Sequence, residues 1–155
     1  MIKITGELIP GKFCAYHNGV KYPRGSNCFY IKLNEKRGLK VYYGLDRKQL
    51  LERHFVRKLK RYAEFLAENG ISLKPKGKEA VDLDIVWRGE PVKCRAWGII
   101  VKHLDMKYSK GKIKYRAKLM RKMQRLGIKH RDDYYKDVNI GYDHDTKNFY
   151  LIDWR

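Results

Sequence analysis

Apolar and polar residues alternate in short runs over the first third of the chain. Between Met1 and Tyr22 these runs are broken by Gly6, Pro10, Gly11 and Gly19, which predicts short strands joined by turns. Residues 28–33 and 38–44 are stronger strand signals, and the polar stretch 34–38 between them suits a hairpin. The period then changes. Asp46, with Gln49 three residues on, opens a helix in the manner of a capping box. Leu51, Phe55, Leu59, Tyr62 and Leu66 follow at spacings of three and four, and Asn69-Gly70 ends the helix. Residues 80–87 and 92–101 predict two more strands around a turn at 88–91. A second helix is predicted after Ser109 as its cap, with Ile113, Ala117, Met120, Met123 and Leu126 on its buried stripe and Gly127 as its stop. Residues 138–140 and 149–152 predict a closing hairpin through a turn at 143–147, in which Asp143 and Asp145 read as turn residues. Strands come in antiparallel groups instead of alternating with helices, so the expected class is α+β.

The chain has 155 residues, enough for one compact unit of two small lobes and too few for two independent domains. With 43% hydrophobic residues it can bury a core. No run reaches the roughly 20 apolar residues of a membrane helix, and the N-terminal residues lack a signal-peptide pattern, so a soluble, cytoplasmic protein is expected. Cys14, Cys28 and Cys94 lie far apart with no CxxC pair, which predicts reduced, packed thiols. A zinc site through Cys14, His17 and Cys28 lacks a second close pair of ligands.

Charge changes the picture. Lys plus Arg is 36 against 17 for Asp plus Glu, a formal net charge of +19. Residues 107–131 hold Lys107, Lys110, Lys112, Lys114, Arg116, Lys118, Arg121, Lys122, Arg125, Lys129 and Arg131 with no acid among them. Such a run repels itself and favours a polyanionic partner, either nucleic acid or an acidic protein, with Tyr108 and Tyr115 available for stacking.

The end of the chain carries the candidate chemistry. It reads Gly127-Ile-Lys-His130-Arg131-Asp132-Asp133, then Asn139-Ile140-Gly141, then Leu151-Ile152-Asp153-Trp154-Arg155. Carboxylates and an amide converge if the hairpin brings Asn139 and Asp153 to its open end, and phosphoryl transfer uses such a set. Here the chain resembles the protein-kinase-like superfamily, including its small-molecule and RIO-type members. His130-Arg131-Asp132 after a helix is similar to that family's catalytic loop. Asn139-Ile140 is similar to its metal-binding Asn, and Leu151-Ile152-Asp153 to its Asp-Phe-Gly segment. The resemblance implies an ATP- and magnesium-dependent phosphotransferase, with Asn139 and Asp153 as metal ligands. It further implies Lys40 as the phosphate-binding lysine, Glu52 as its ion-pair partner, and an adenine-binding hinge around Val101 to His103. An antiparallel N-lobe with one helix would occupy residues 1–105, and a reduced C-lobe of one helix and a hairpin residues 106–155.

The pattern also departs from the family. Asp132 lies two residues further from Asn139 than the family's spacing, which leaves Asp132 and Asp133 both open as the catalytic base. No Gly-x-Gly-x-x-Gly loop is present, and Trp154-Arg155 stand where Phe and Gly are usual. The segments that follow in protein kinases are expected to be missing, and the acceptor is undetermined. The reading from another class is a non-catalytic basic binding module, a pseudokinase or a nucleic-acid-binding protein. A weaker third is a metal-dependent nuclease using Asp82, Asp84 and Glu90.

Overall fold

The structure is a computed structural model that describes residues 2–9, 12–17, 19–22, 28–42, 53–87, 89–128 and 139–152. Strands β1 (Ile2–Ile9), β2 (Lys12–His17), β3 (Val20–Tyr22), β4 (Cys28–Lys32) and β5 (Arg37–Tyr42) come first. Helix α1 (Arg53–Glu68) precedes β6 (Gly77–Trp87) and β7 (Glu90–Lys102). Helix α2 (Lys112–Arg125) precedes β8 (Ile140–Asp143) and β9 (Asn148–Leu151). The fold is α+β. It divides into two compact units, Met1–Lys60 with Pro75–His103, and Arg61–Lys74 with Leu104–Arg155.

In the first unit seven strands form one sheet in the order β3-β2-β1-β6-β7-β5-β4. Its edge strands β3 and β4 approach each other, so the sheet curls. The expectation of an antiparallel sheet is corrected: β1 runs parallel to β6, pairing Ile2 with Val81 through to Leu8 with Trp87. Antiparallel neighbours can be joined by a tight turn, whereas a parallel pair needs a long crossover, here everything from β2 to α1. No local pattern reveals such a pairing. The remaining contacts are antiparallel.

Alternation then sorts the side chains onto two faces. Ile4, Ile31, Leu39, Val41, Val81, Leu83, Ile85, Val92 and Ala96 share one buried cluster. Gly98 lies beneath it: a Cβ there would come within 2.5 Å of Leu39 Cδ1 and 3.1 Å of Val41 Cγ2. On the opposite face, Asp82 and Asp84 stand across from Arg95 and Lys93, with oxygen–nitrogen distances of 3.7 and 3.9 Å. Two of the three carboxylates named for a nuclease, Asp82 and Asp84, are therefore members of cross-strand charge pairs.

Both helices stop by the same device. Gly70 has φ +70°, its N–H donates to the Ala67 carbonyl and that of Ile71 to Leu66, a Schellman motif. Gly127, at φ +67°, and Ile128 repeat it on Gln124 and Met123. On α1, Leu59 and Leu66 are buried as expected, together with Val56 and Ala63, and Tyr62 is half-buried. The predicted start at Asp46, with Leu51, lies outside the described residues, as does the Phe55 side chain.

On α2 the expectation needs two corrections. The N-cap is Gly111 with no side-chain cap, and Ser109 contributes only its carbonyl, which accepts from Lys112 N–H. The buried residues are Lys112, Leu119 and Met123, while Ile113 is 80% exposed and Ala117, Met120 and Leu126 also face solvent. Tyr115 sets this phase. Its ring packs 5.6 Å from that of Phe149 on β9, and its hydroxyl donates to the Ile71 carbonyl at 3.3 Å. An aromatic residue available for stacking is thus half-buried on the inner side of the helix, alongside Leu119 and Met123.

Replacing Gly98 by Val is expected to lower stability by about 1–3 kcal/mol, because the added atoms overpack Leu39 and Val41. Urea denaturation measures it; an unchanged midpoint would show that the two side chains simply move aside.

Candidate functional site

Lys40 lies in β5, opposite Tyr30 of β4 and Ile99 of β7. It is only 5% exposed and engaged within the chain. A lysine so buried needs its charge matched, since an unpaired ammonium in an apolar setting is expensive. Its neighbours Leu39 and Val41 point into the core cluster, so Lys40 points to the other face. Val101 shares that face. It pairs with Gly38 two residues along β7 from Ile99, about 7 Å at the rise of a strand.

His103 follows β7 and is tied back twice, to the turn between β4 and β5 and to β4 itself. Its N–H donates to the Lys36 carbonyl at 3.0 Å, and its Nδ1 is 2.6 Å from the Tyr30 hydroxyl, with the rings stacked at 5.8 Å. Gly38 makes this possible, because a Cβ there would occupy the space of the Tyr30 ring. The His103 N–H is therefore committed inside the sheet. Neither Tyr30 nor Gly38 was nominated by the sequence, since their relation to His103 spans 73 and 65 positions of chain.

In the second unit Asn139 stands at the entry to β8, half-buried. Ile140 pairs with Leu151, and the Ile152 N–H donates to the Asn139 carbonyl at 2.8 Å. The start of β8 and the end of β9 are thereby held together at the open end of the hairpin. The first strand runs Ile140 to Asp143 instead of 138–140, and its closing loop is as expected. The Asp143 carboxylate accepts from Asp145 N–H and the Thr146 hydroxyl at 3.1 and 3.0 Å. Glu52, Asp132, Asp133 and Asp153 lie outside the described residues.

The hairpin is anchored by Asp105. Its main chain exchanges hydrogen bonds with Tyr142 at 2.9 and 2.8 Å. Its carboxylate accepts from His144 Nε2 at 2.9 Å and from the Lys107 and Tyr108 N–H groups. The Tyr108 ring stacks on Tyr142, centroids 4.0 Å apart.

Also in this unit is a cavity of about 250 Å³ lined by Gly70, Ile71, Tyr115, Lys118, Leu119, Lys122, Asn148, Phe149 and Tyr150. Lys118 and Lys122 were legible as part of the basic run; Asn148 and Tyr150 were not, because only the packing of β9 beside α2 brings them there. Burial pushes the Tyr115 phenol well above its ordinary value, so it stays neutral and donates to Ile71.

Cys28 and Cys94 form no disulfide, and among the described residues no cluster of three His, Cys, Asp or Glu side chains is placed to hold a metal. No described helix is long and apolar enough to cross a membrane. None of the protein-family models, curated proteins or solved structures compared with the chain matches it.

The His144 hydrogen bond, then the Lys107 N–H, hold the Asp105 carboxyl below its ordinary value near 4. A depressed carboxyl stabilises the fold above the unfolded-state value and loses that contribution as pH falls through the lowered one. The urea midpoint is thus expected to drop on acidification below about pH 4, and Asp105→Asn is expected to flatten that drop. An identical acid profile in the variant would show that the pair carries no stability.

Proposed function

We propose that the chain is an ATP- and magnesium-dependent phosphotransferase of protein-kinase-like type. The observation that carries this reading is the setting of Lys40: a buried lysine on a strand paired on both sides, on the same sheet face as Val101 and as Tyr30, which contacts His103. In the resemblance these positions are the phosphate-gripping lysine and the adenine-binding hinge. The β8–β9 hairpin adds support, because its register brings Asn139 beside Ile152, the residue before Asp153.

Each residue then has a role that follows from its chemistry. Lys40 brings a point charge to the phosphates. Asp132 or Asp133 accepts the proton of the attacking hydroxyl, and orientation of that hydroxyl supplies much of the rate. Residues 101–103 receive the base. The His103 N–H is taken by the Lys36 carbonyl and is not the group that reads adenine there.

Magnesium in phosphoryl-transfer sites takes one or two protein oxygens and completes its shell from phosphate and water. The Asn139 amide oxygen, on a main chain fixed by Ile152, and the Asp153 carboxylate are a fitting pair of hard donors. When bound, the ion would neutralise charge on the phosphates. The acceptor is left open in this reading.

Thermal melts with ATP and magnesium, together and separately, test it. Ligand at 100 times its dissociation constant adds about 2.7 kcal/mol. A magnesium-dependent rise in Tm is expected for the parent and is expected to vanish in Asp153→Asn. Lys40→Met, which keeps the buried volume, is expected to weaken ATP binding with or without the metal. Absence of any shift in the parent would remove the phosphotransferase reading.

A further inference from the structure

The cavity beside α2 has no part in the proposed phosphotransfer and does not rest on that reading. Its charged lining is of one sign. Lys118 and Lys122, one helical turn apart, both line it, and neither has an acidic partner among the described residues. Lys122 is held near Gly70: a Cβ at that position would lie 3.2 Å from its Nζ. That places its ammonium at the C-terminal end of α1, which has no basic residue in its own last turn. Lys118 has no such structural role and stands exposed at the cavity mouth.

The rest of the lining is aromatic and amide. Tyr115 and Phe149 pack on each other and form the inner wall. Tyr150 stands nearer solvent with its hydroxyl bonded to Thr146, and the Asn148 amide donates to the Thr146 carbonyl, which leaves its Oδ1 as an acceptor. At about 250 Å³ the cavity falls just below the range of sites for drug-sized ligands. It suits a single planar group next to an anion. Further cations continue along the exposed side of the same helix, at Lys114, Arg121 and Arg125. A row of cations leading from an aromatic pocket suits a repeating polyanion whose units each carry a ring.

We propose that this cavity and the basic side of α2 bind single-stranded nucleic acid, with one base seated against Tyr150 and Asn148 and its phosphate between Lys118 and Lys122. An acidic protein would satisfy the lysines and leave the ring-lined space unfilled. A mononucleotide would fill the space and make no use of Lys114, Arg121 and Arg125.

The test is fluorescence anisotropy with a dye-labelled twelve-nucleotide oligothymidylate, in EDTA and without ATP, over a range of salt. Affinity is expected to fall steeply with salt, by about 0.7 in log–log slope for each phosphate neutralised. Lys118→Ala/Lys122→Ala is expected to reduce the slope by about 1.4, two phosphates at about 0.7 each, and to weaken binding at least about tenfold at low salt. Lys118→Ala alone, at an exposed position, is expected to give about half of that slope change even if the double variant folds poorly. Tyr150→Leu is expected to weaken binding by about tenfold with the slope unchanged, because a stacking plane and not a charge is lost. Lys36→Ala/Lys58→Ala removes the same charge elsewhere and is expected to leave binding near the parent's.

Equal losses in the two double variants would mean diffuse attraction to a basic protein and would overturn the proposal. So would an unaffected Tyr150→Leu, displacement by AMP at the same nucleotide concentration, or displacement by polyglutamate as effective as that by unlabelled oligonucleotide.

Discussion

The pairing of β6 with β7 is the constraint on which the first unit depends. Its register runs without interruption from Gly77–Ile100 to Trp87–Glu90 and satisfies the backbone of two long strands at once. Each strand then serves as template for another: β6 takes β1 in parallel along one edge, and β7 takes β5 along the other. Because side chains alternate, that one register decides both faces. Val81, Leu83 and Ile85 meet Ala96, Cys94 and Val92 on the apolar side, and a slip of one residue would bury Asp82 and Asp84 in their place.

The two faces of β5 carry different residues. Leu39 and Val41 enter the core, and the residue between them, Lys40, is turned toward Val101 and the Tyr30–His103 contact. Lys40 is buried there all the same and is engaged within the chain. The absence of a side chain matters as much at two sites. Gly98 gives Leu39 and Val41 room on one face, and Gly38 gives the Tyr30 ring room on the other.

The second unit places its charges differently. Its core gathers Leu66, Ile71, Leu104, Leu119, Met123, Ile140, Phe149 and Leu151, with Tyr108, Tyr115 and Tyr142 packed half-buried around Phe149, and most of the Lys and Arg side chains of α2, Lys112 apart, reach solvent. Seven of the chain's cations, Lys112, Lys114, Arg116, Lys118, Arg121, Lys122 and Arg125, lie on α2, a helix that has no acids of its own. Field and shape coincide there, because the packed rings of Tyr115 and Phe149 also line the cavity.

Several features were determined by the sequence alone, and each is local in origin. The strands of the 28–42 and 77–102 hairpins follow from alternation and their turns. Both helix stops follow from a glycine that adopts positive φ without strain, and the closing loop at Asp143 follows from a carboxylate that bonds its own turn. The basic run and the order of Lys40, Asn139 and Asp153 were equally readable. Only the tertiary structure decided the parallel seam between β1 and β6, the phase of α2, the Tyr30–His103 contact and the cavity's companions Asn148 and Tyr150. In each of these the partners are remote in the chain, and packing outweighed the local signal. Ile113, the most apolar residue of α2 by pattern, is left exposed because Tyr115 buries more area and finds a hydrogen-bond partner at Ile71.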